Sequence, residues 1–80
     1  MSSYITFVYG GIPLGNKTAI WRVWTKDEHA IIGQVRWFAP WRKYCFFPSL
    51  DTVFEEVCLR DIASFVEART REHRAARKTA

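Results

Sequence analysis

Eighty residues, 49% of them hydrophobic and 25% charged, make one small domain with a net charge of +4. A chain this short buries only about 60% of the surface its unfolded form exposes, so its core must be dense. Four Trp, six Phe and three Tyr meet that need, since each aromatic side chain can bury roughly 150–250 Å². No apolar run approaches the roughly 20 residues of a membrane span, no basic-then-apolar leader opens the chain, and two cysteines do not make a disulfide framework. A cytoplasmic protein is expected, with Cys45 and Cys58 as buried free thiols.

In chain order, residues 4–9 (Y-I-T-F-V-Y) are β-branched and aromatic and predict a first strand. Gly10 to Asn16 reads as a loop, broken by three glycines and Pro13. The stretch G-G-I-P-L-G-N-K-T comes near a phosphate-binding loop. Asn16, however, intrudes between Gly15 and Lys17, and a strand follows where that motif needs a helix N-terminus. Residues 18–25 (T-A-I-W-R-V-W-T) predict the second strand, and Lys26 to Ala30 a polar turn. Residues 31–38 (I-I-G-Q-V-R-W-F) predict the third. The turn Ala39-Pro40-Trp41-Arg42 places proline second, where its fixed φ suits a type I turn. Residues 43–48 predict the fourth strand, closed by Pro48.

The hydrophobic period then changes. Phe54, Cys58, Ile62, Phe65 and Val66 recur every three or four residues, which is the pattern of an amphipathic helix. Thr52 and Glu55 have the spacing of a capping box, which places the helix start near Val53. The apolar stripe ends at Val66, so the helix is expected to continue for a turn or two and then fray. The expected organisation is a domain over residues 1–68 and a basic tail over 69–80. The fold class expected is α+β: an antiparallel meander of three or four strands with one C-terminal helix on one face.

Turn lengths fix a register. A four-residue turn opposes Trp37 with Tyr44 and Val35 with Phe46; the five-residue turn before it opposes Val23 with Gly33 and Trp21 with Val35. One face then carries Trp21, Val23, Gly33, Val35, Trp37, Tyr44 and Phe46, has no charge, and forms the bed for the helix. The other carries Arg22, Trp24, Ile32, Gln34, Arg36, Phe38, Lys43, Cys45 and Phe47.

Charge is distributed unevenly. Residues 1–50 have a net charge of +4, residues 51–68 of −4 and residues 69–80 of +4. Such segregation bears on association rather than on fold. On the second sheet face, Arg22, Arg36 and Lys43 could neutralise phosphates while Trp24, Phe38 and Phe47 stack on bases, the combination used by single-strand binders. The bland alternative is a half-wet surface covered by another segment or a second copy. Arg69, Arg71, Arg74, Arg77 and Lys78 form a second candidate for nucleic acid, against the alternative of a solvated helix end whose cations favour the negative end of the dipole. His29 and His73 lack neighbours at zinc-ligand spacing. Neither a catalytic arrangement, nor a cofactor, nor a metal is expected.

Several elements resemble a pattern found in small proteins encoded by bacteriophages and prophages. They are Lys17-Thr18 with Trp21 and Val23; Gly33 with Val35 and Trp37; Trp41-Arg42 with Tyr44, Phe46 and Pro48; and Phe54, Cys58-Leu59, Asp61-Ile62 and Phe65. The resemblance covers roughly residues 17–66, and W-R-x-Y-x-F-x-P is its most specific part. It implies a viral accessory protein acting in the bacterial cytoplasm and brings no activity or binding residues. Two functions of different class are therefore expected: nucleic-acid binding through the open sheet face and tail, or a protein-binding module using the same face. The second would be an inhibitor of a host or defence complex, or an obligate dimer. Trp41 is expected to fold over the sheet edge or the helix, and Arg42 to pair with Asp61 or Glu55.

Overall fold

The computed structural model describes residues 4–26 and 30–79, and side chains as far as Ala76. His29, part of the Lys26–Ala30 turn and the side chains of Arg77 and Lys78 lie outside the described residues. The element order is β1 (Ile5–Tyr9), β2 (Trp21–Thr25), β3 (Ile31–Phe38), a 3-10 turn (Ala39–Trp41), β4 (Lys43–Pro48) and α1 (Glu56–Thr79). The four strands form one antiparallel sheet in sequence order. The expected α+β architecture is therefore present, with all four strands in the sheet.

Both turn-derived registers hold. Trp21 faces Val35 and Val23 faces Gly33; Val35 faces Phe46 and Trp37 faces Tyr44. β1 adds Phe7 opposite Val23 and Tyr9 opposite Trp21. One irregularity falls between Val23 and Trp24, where Trp24 pairs with Ile31 and Ile32 becomes the extra residue of a bulge. The bulge redirects Ile32, which packs against the core instead of standing on the opposite face. β2 starts at Trp21, three residues later than the sequence suggests, because residues 10–20 extend the β1–β2 hairpin as two arms. Gly10 N–H donates to Ile20 C=O at 2.7 Å and Ile20 N–H to Gly11 C=O at 2.9 Å.

The core lies between the sheet and α1. Ile5, Val23, Val35, Tyr44, Cys58 and Ile62 are buried, with Phe7, Trp21, Trp37, Phe46, Phe54, Phe65 and Val66 packed around them. Phe7 stacks on Phe65 at 4.0 Å between ring centroids, and Trp21 meets Phe65 edge-on at 5.6 Å. Gly33 is small for a reason. A Cβ there would lie 2.5 Å from two ring carbons of Phe46, so the phenyl ring occupies the space a side chain would need.

α1 starts later and runs further than its apolar stripe indicates. Glu55 is the N-cap: its carbonyl accepts from Leu59 N–H at 3.0 Å, and its Oε1 accepts from Cys58 N–H at 2.6 Å. That hydrogen bond holds the Glu55 carboxyl below the usual glutamate range. Thr52 serves the preceding turn instead, donating from Oγ1 to Ser49 C=O at 2.8 Å. Past Val66, polar residues continue the packing. Thr70 is buried, and its Oγ1 accepts from Tyr44 N–H at 2.9 Å. His73 sits 4.3 Å from the Trp37 ring. The segment expected to fray is the last part of a helix that continues to Thr79.

Candidate functional site

Strand alternation places Arg22, Trp24, Gln34, Arg36, Phe38, Lys43, Cys45 and Phe47 on the sheet face turned away from α1, with Thr6 and Val8 added by β1. None of the four strands contains an Asp or a Glu. This face therefore carries three cations and no carboxylate from its own strands.

Its aromatic residues form a row. Phe38 meets Trp41 edge-on at 4.9 Å and Phe47 at 6.0 Å. Arg36 lies diagonal to Phe47 across β3 and β4, and its guanidinium carbon sits 3.7 Å from the centre of that ring. Cation–π attraction at such an open site contributes about 0.5–1 kcal/mol and restricts the guanidinium over the ring. Trp41 caps the row and is 67% exposed. It thus packs on the outer face through Phe38, rather than over the helix. Arg42 adopts a left-handed conformation with φ 55°, and its N–H closes the turn on Phe38 and Ala39 carbonyls. Its side chain forms none of the ion pairs among the described residues, so the expected link to Asp61 or Glu55 is not made. The left-handed turn holds Arg42 exposed at the tip of the hairpin.

Arg22 and Trp24 are half-buried on β2. The Arg22 guanidinium is tucked against Gly10, where an added Cβ would come within 2.7 Å of its Nη1. Cys45 lies among these groups, and burial pushes its thiol pKa up, which keeps it protonated and unreactive.

The cations of α1 divide into two sets. Arg69 turns inward, with its guanidinium 4.7 Å from the Phe65 ring centre and 5.5 Å from that of Trp21, and pairs with Glu72 at 2.7 Å. It does not join the outer face. Arg71 and Arg74 line a groove of about 620 Å³ between α1 and β4, and Lys43 reaches the same groove from the sheet. Glu67 also lines it and pairs with Arg71 at 3.5 Å. Arg74 donates to Arg42 C=O at 3.5 Å, which brings it to the turn beside Trp41. Lys43 thus connects the outer face to the helix cations. The sequence pattern did not show this connection because it depends on α1 lying along β4.

Asp61 is half-buried, and its Oδ2 is buried without a hydrogen-bond partner among the described residues, as is Arg69 Nε. Among the described residues, no three His, Cys, Asp or Glu side chains are grouped to hold a metal ion. No described helix is long and apolar enough to cross a membrane.

No family model matches the chain, and no solved structure matches it. Among curated proteins it is similar to the "Uncharacterized 9.3 kDa protein" of Acholeplasma phage L2, with 32% identity over 65 residues. The match spans 81% of this chain and 82% of the phage protein. The phage character implied by the tryptophan–arginine hairpin pattern has a counterpart in that relative. The chain belongs to the same family as this 9.3 kDa phage protein.

Proposed function

We propose that the protein is a non-catalytic phage accessory protein that binds single-stranded nucleic acid on the outer face of its sheet, within the host cytoplasm. The observation that carries this reading is the composition of that face: Arg22, Arg36 and Lys43, no strand carboxylate, and the ring row Trp41–Phe38–Phe47 beside the cations. Phosphates would be held by the cations and by Arg71 and Arg74 along the groove. Bases would stack on exposed Trp41, where each stacked base contributes about 1–3 kcal/mol with little sequence preference. The acidic first turns of α1 lie on the opposite side of the sheet and do not oppose the ligand.

Electrostatic binding of this kind is steeply salt-dependent. Three phosphate contacts would give a log–log slope of about −2, at roughly 0.7 per contact for single strands. Titration of a labelled oligonucleotide at low and moderate salt tests this. Absence of binding at low salt would remove the reading.

A second reading is favoured by one detail. Arg36 already covers one side of Phe47, which reduces the ring surface open to a base. Arginine and aromatic side chains packed together are also the composition of protein hot spots. A protein-binding module, such as an inhibitor of a host or defence complex, would use the same face. Capture from bacterial lysate with and without nuclease separates the two: a protein partner retained after nuclease treatment supports the second.

A further inference from the structure

The two edges of the sheet are built differently. β4 is closed to further strands. The bonds from Ser49 N–H to Ile32 C=O and between β3 and β4 leave Tyr44, Phe46 and Pro48 with their backbone groups pointing outward. Tyr44 N–H is taken by Thr70 Oγ1, and Pro48 has no N–H. These are the devices by which proteins blunt an edge.

β1 has none of them. Tyr4 C=O accepts from Lys26 N–H at 2.9 Å and Gly10 N–H donates to Ile20 C=O at 2.7 Å, so the even-numbered residues of β1 bond to β2. Phe7 and Tyr9 therefore direct their N–H and C=O groups away from the sheet. The strand contains no proline, no bulge and no charged side chain. Val8 is 41% exposed and Tyr9 60% exposed.

We infer that β1 pairs antiparallel with β1 of a second copy, about a two-fold axis through Val8. Phe7 of each copy then faces Tyr9 of the other, and the two pairs exchange four backbone hydrogen bonds. The occupant is a second copy because the pattern is self-complementary: donors and acceptors at positions 7 and 9 match themselves when reversed, as an isologous contact requires. The strand's lack of charge matters here. In a chain of net charge +4, an uncharged strand meets its own copy without local repulsion. The two Val8 side chains fall in the closely spaced, non-hydrogen-bonded position, where β-branched pairs stabilise a sheet. The contact is near the lower limit of about 1,000 Å² for specific interfaces, so a monomer–dimer equilibrium results.

An axis perpendicular to the sheet keeps both helices on one side. The product is an eight-stranded sheet whose two outer faces form one surface, with Arg22 of each copy one strand from the axis. The pairing rests on the strand edge alone. It leaves the face proposed for nucleic acid free, and it can fail or succeed independently of that proposal.

Sedimentation equilibrium of the full chain across the micromolar range tests it, without nucleic acid. The expected result is an average mass rising from one chain to two. Val8→Lys sets two like charges face to face and should weaken dimerisation by at least about tenfold, with the far-ultraviolet circular dichroism unchanged because Val8 lies outside the core. On a Cys45→Ser background, Val8→Cys should oxidise to a covalent dimer, since the close pair meets disulfide geometry. Thr6→Cys should not, because it would face Gly10 of the second copy. A wild-type mass of one chain at every concentration, or a Val8→Lys protein that dimerises as tightly as wild type, would overturn the inference.

Discussion

The two faces of the sheet use the same kinds of residue for opposite ends. On the inner face, Trp21, Trp37 and Tyr44 meet Phe65, His73 and Thr70 of α1, and the one arginine that enters, Arg69, is tied to Glu72 and laid over two rings. On the outer face, Phe38, Phe47 and Trp41 meet only one another and Arg36, and no described helix covers them. Aromatic content by itself therefore does not mark a binding surface in a small domain. The distinction lies in what each ring is packed against, and in whether nearby cations have carboxylates to answer them.

Substitutions should separate the two faces sharply. The largest effect is expected at Gly33. An added methyl group would lie 2.5 Å from Phe46 ring carbons and 2.7 Å from Phe47 C=O. Gly33→Ala should therefore destabilise the protein by about 3 kcal/mol in chemical denaturation. Gln34→Ala, its neighbour on the outer face, should stay within about 0.5 kcal/mol of wild type. A smaller loss is expected from Thr70→Val, which keeps the side-chain shape but leaves buried Tyr44 N–H without an acceptor. It should cost about 2 kcal/mol.

The Glu55 cap gives a prediction in pH rather than in magnitude. Its carboxyl titrates below the usual glutamate range in the folded state, owing to the hydrogen bond from Cys58 N–H. The unfolded state therefore binds the proton more readily. The cap's contribution is fully present above the unfolded glutamate pKa and is lost as pH falls through the lower folded value. The difference in Tm between wild type and Glu55→Gln should accordingly be largest near neutral pH and shrink in acid. A difference that does not change between those conditions would contradict this role.

Much of this arrangement was legible in the sequence. Turn lengths and strict alternation fixed the pairings Val23–Gly33, Val35–Phe46 and Trp37–Tyr44, because a one-residue slip would have put Arg22, Arg36 and Lys43 into the core. What escaped was carried by polar residues. Thr70 and His73 extend the helix packing through a hydroxyl acceptor and an aromatic contact, neither of which a hydrophobic period records. Arg69 enters the core by laying its guanidinium over Phe65 and Trp21, so a segment that reads as a solvated tail contributes to the body of the domain. The bulge at Ile32 has no turn residue to announce it. On the candidate site, the outer-face residues were identified from alternation alone. The groove joining Lys43 to Arg71 and Arg74 was not, since it depends on how α1 lies along β4.

The most direct test of the outer-face reading is fluorescence anisotropy of a labelled single-stranded oligonucleotide, titrated with wild-type protein and with the Arg36→Glu, Lys43→Glu double variant. Both positions are exposed, so the variant should unfold within about 0.5 kcal/mol of wild type. Wild type should bind at low salt and weaken steeply as salt rises, and the variant should lose most of that affinity while keeping its fold. Equal binding by the two proteins, or no binding by wild type at low salt, would contradict the assignment of this face to nucleic acid.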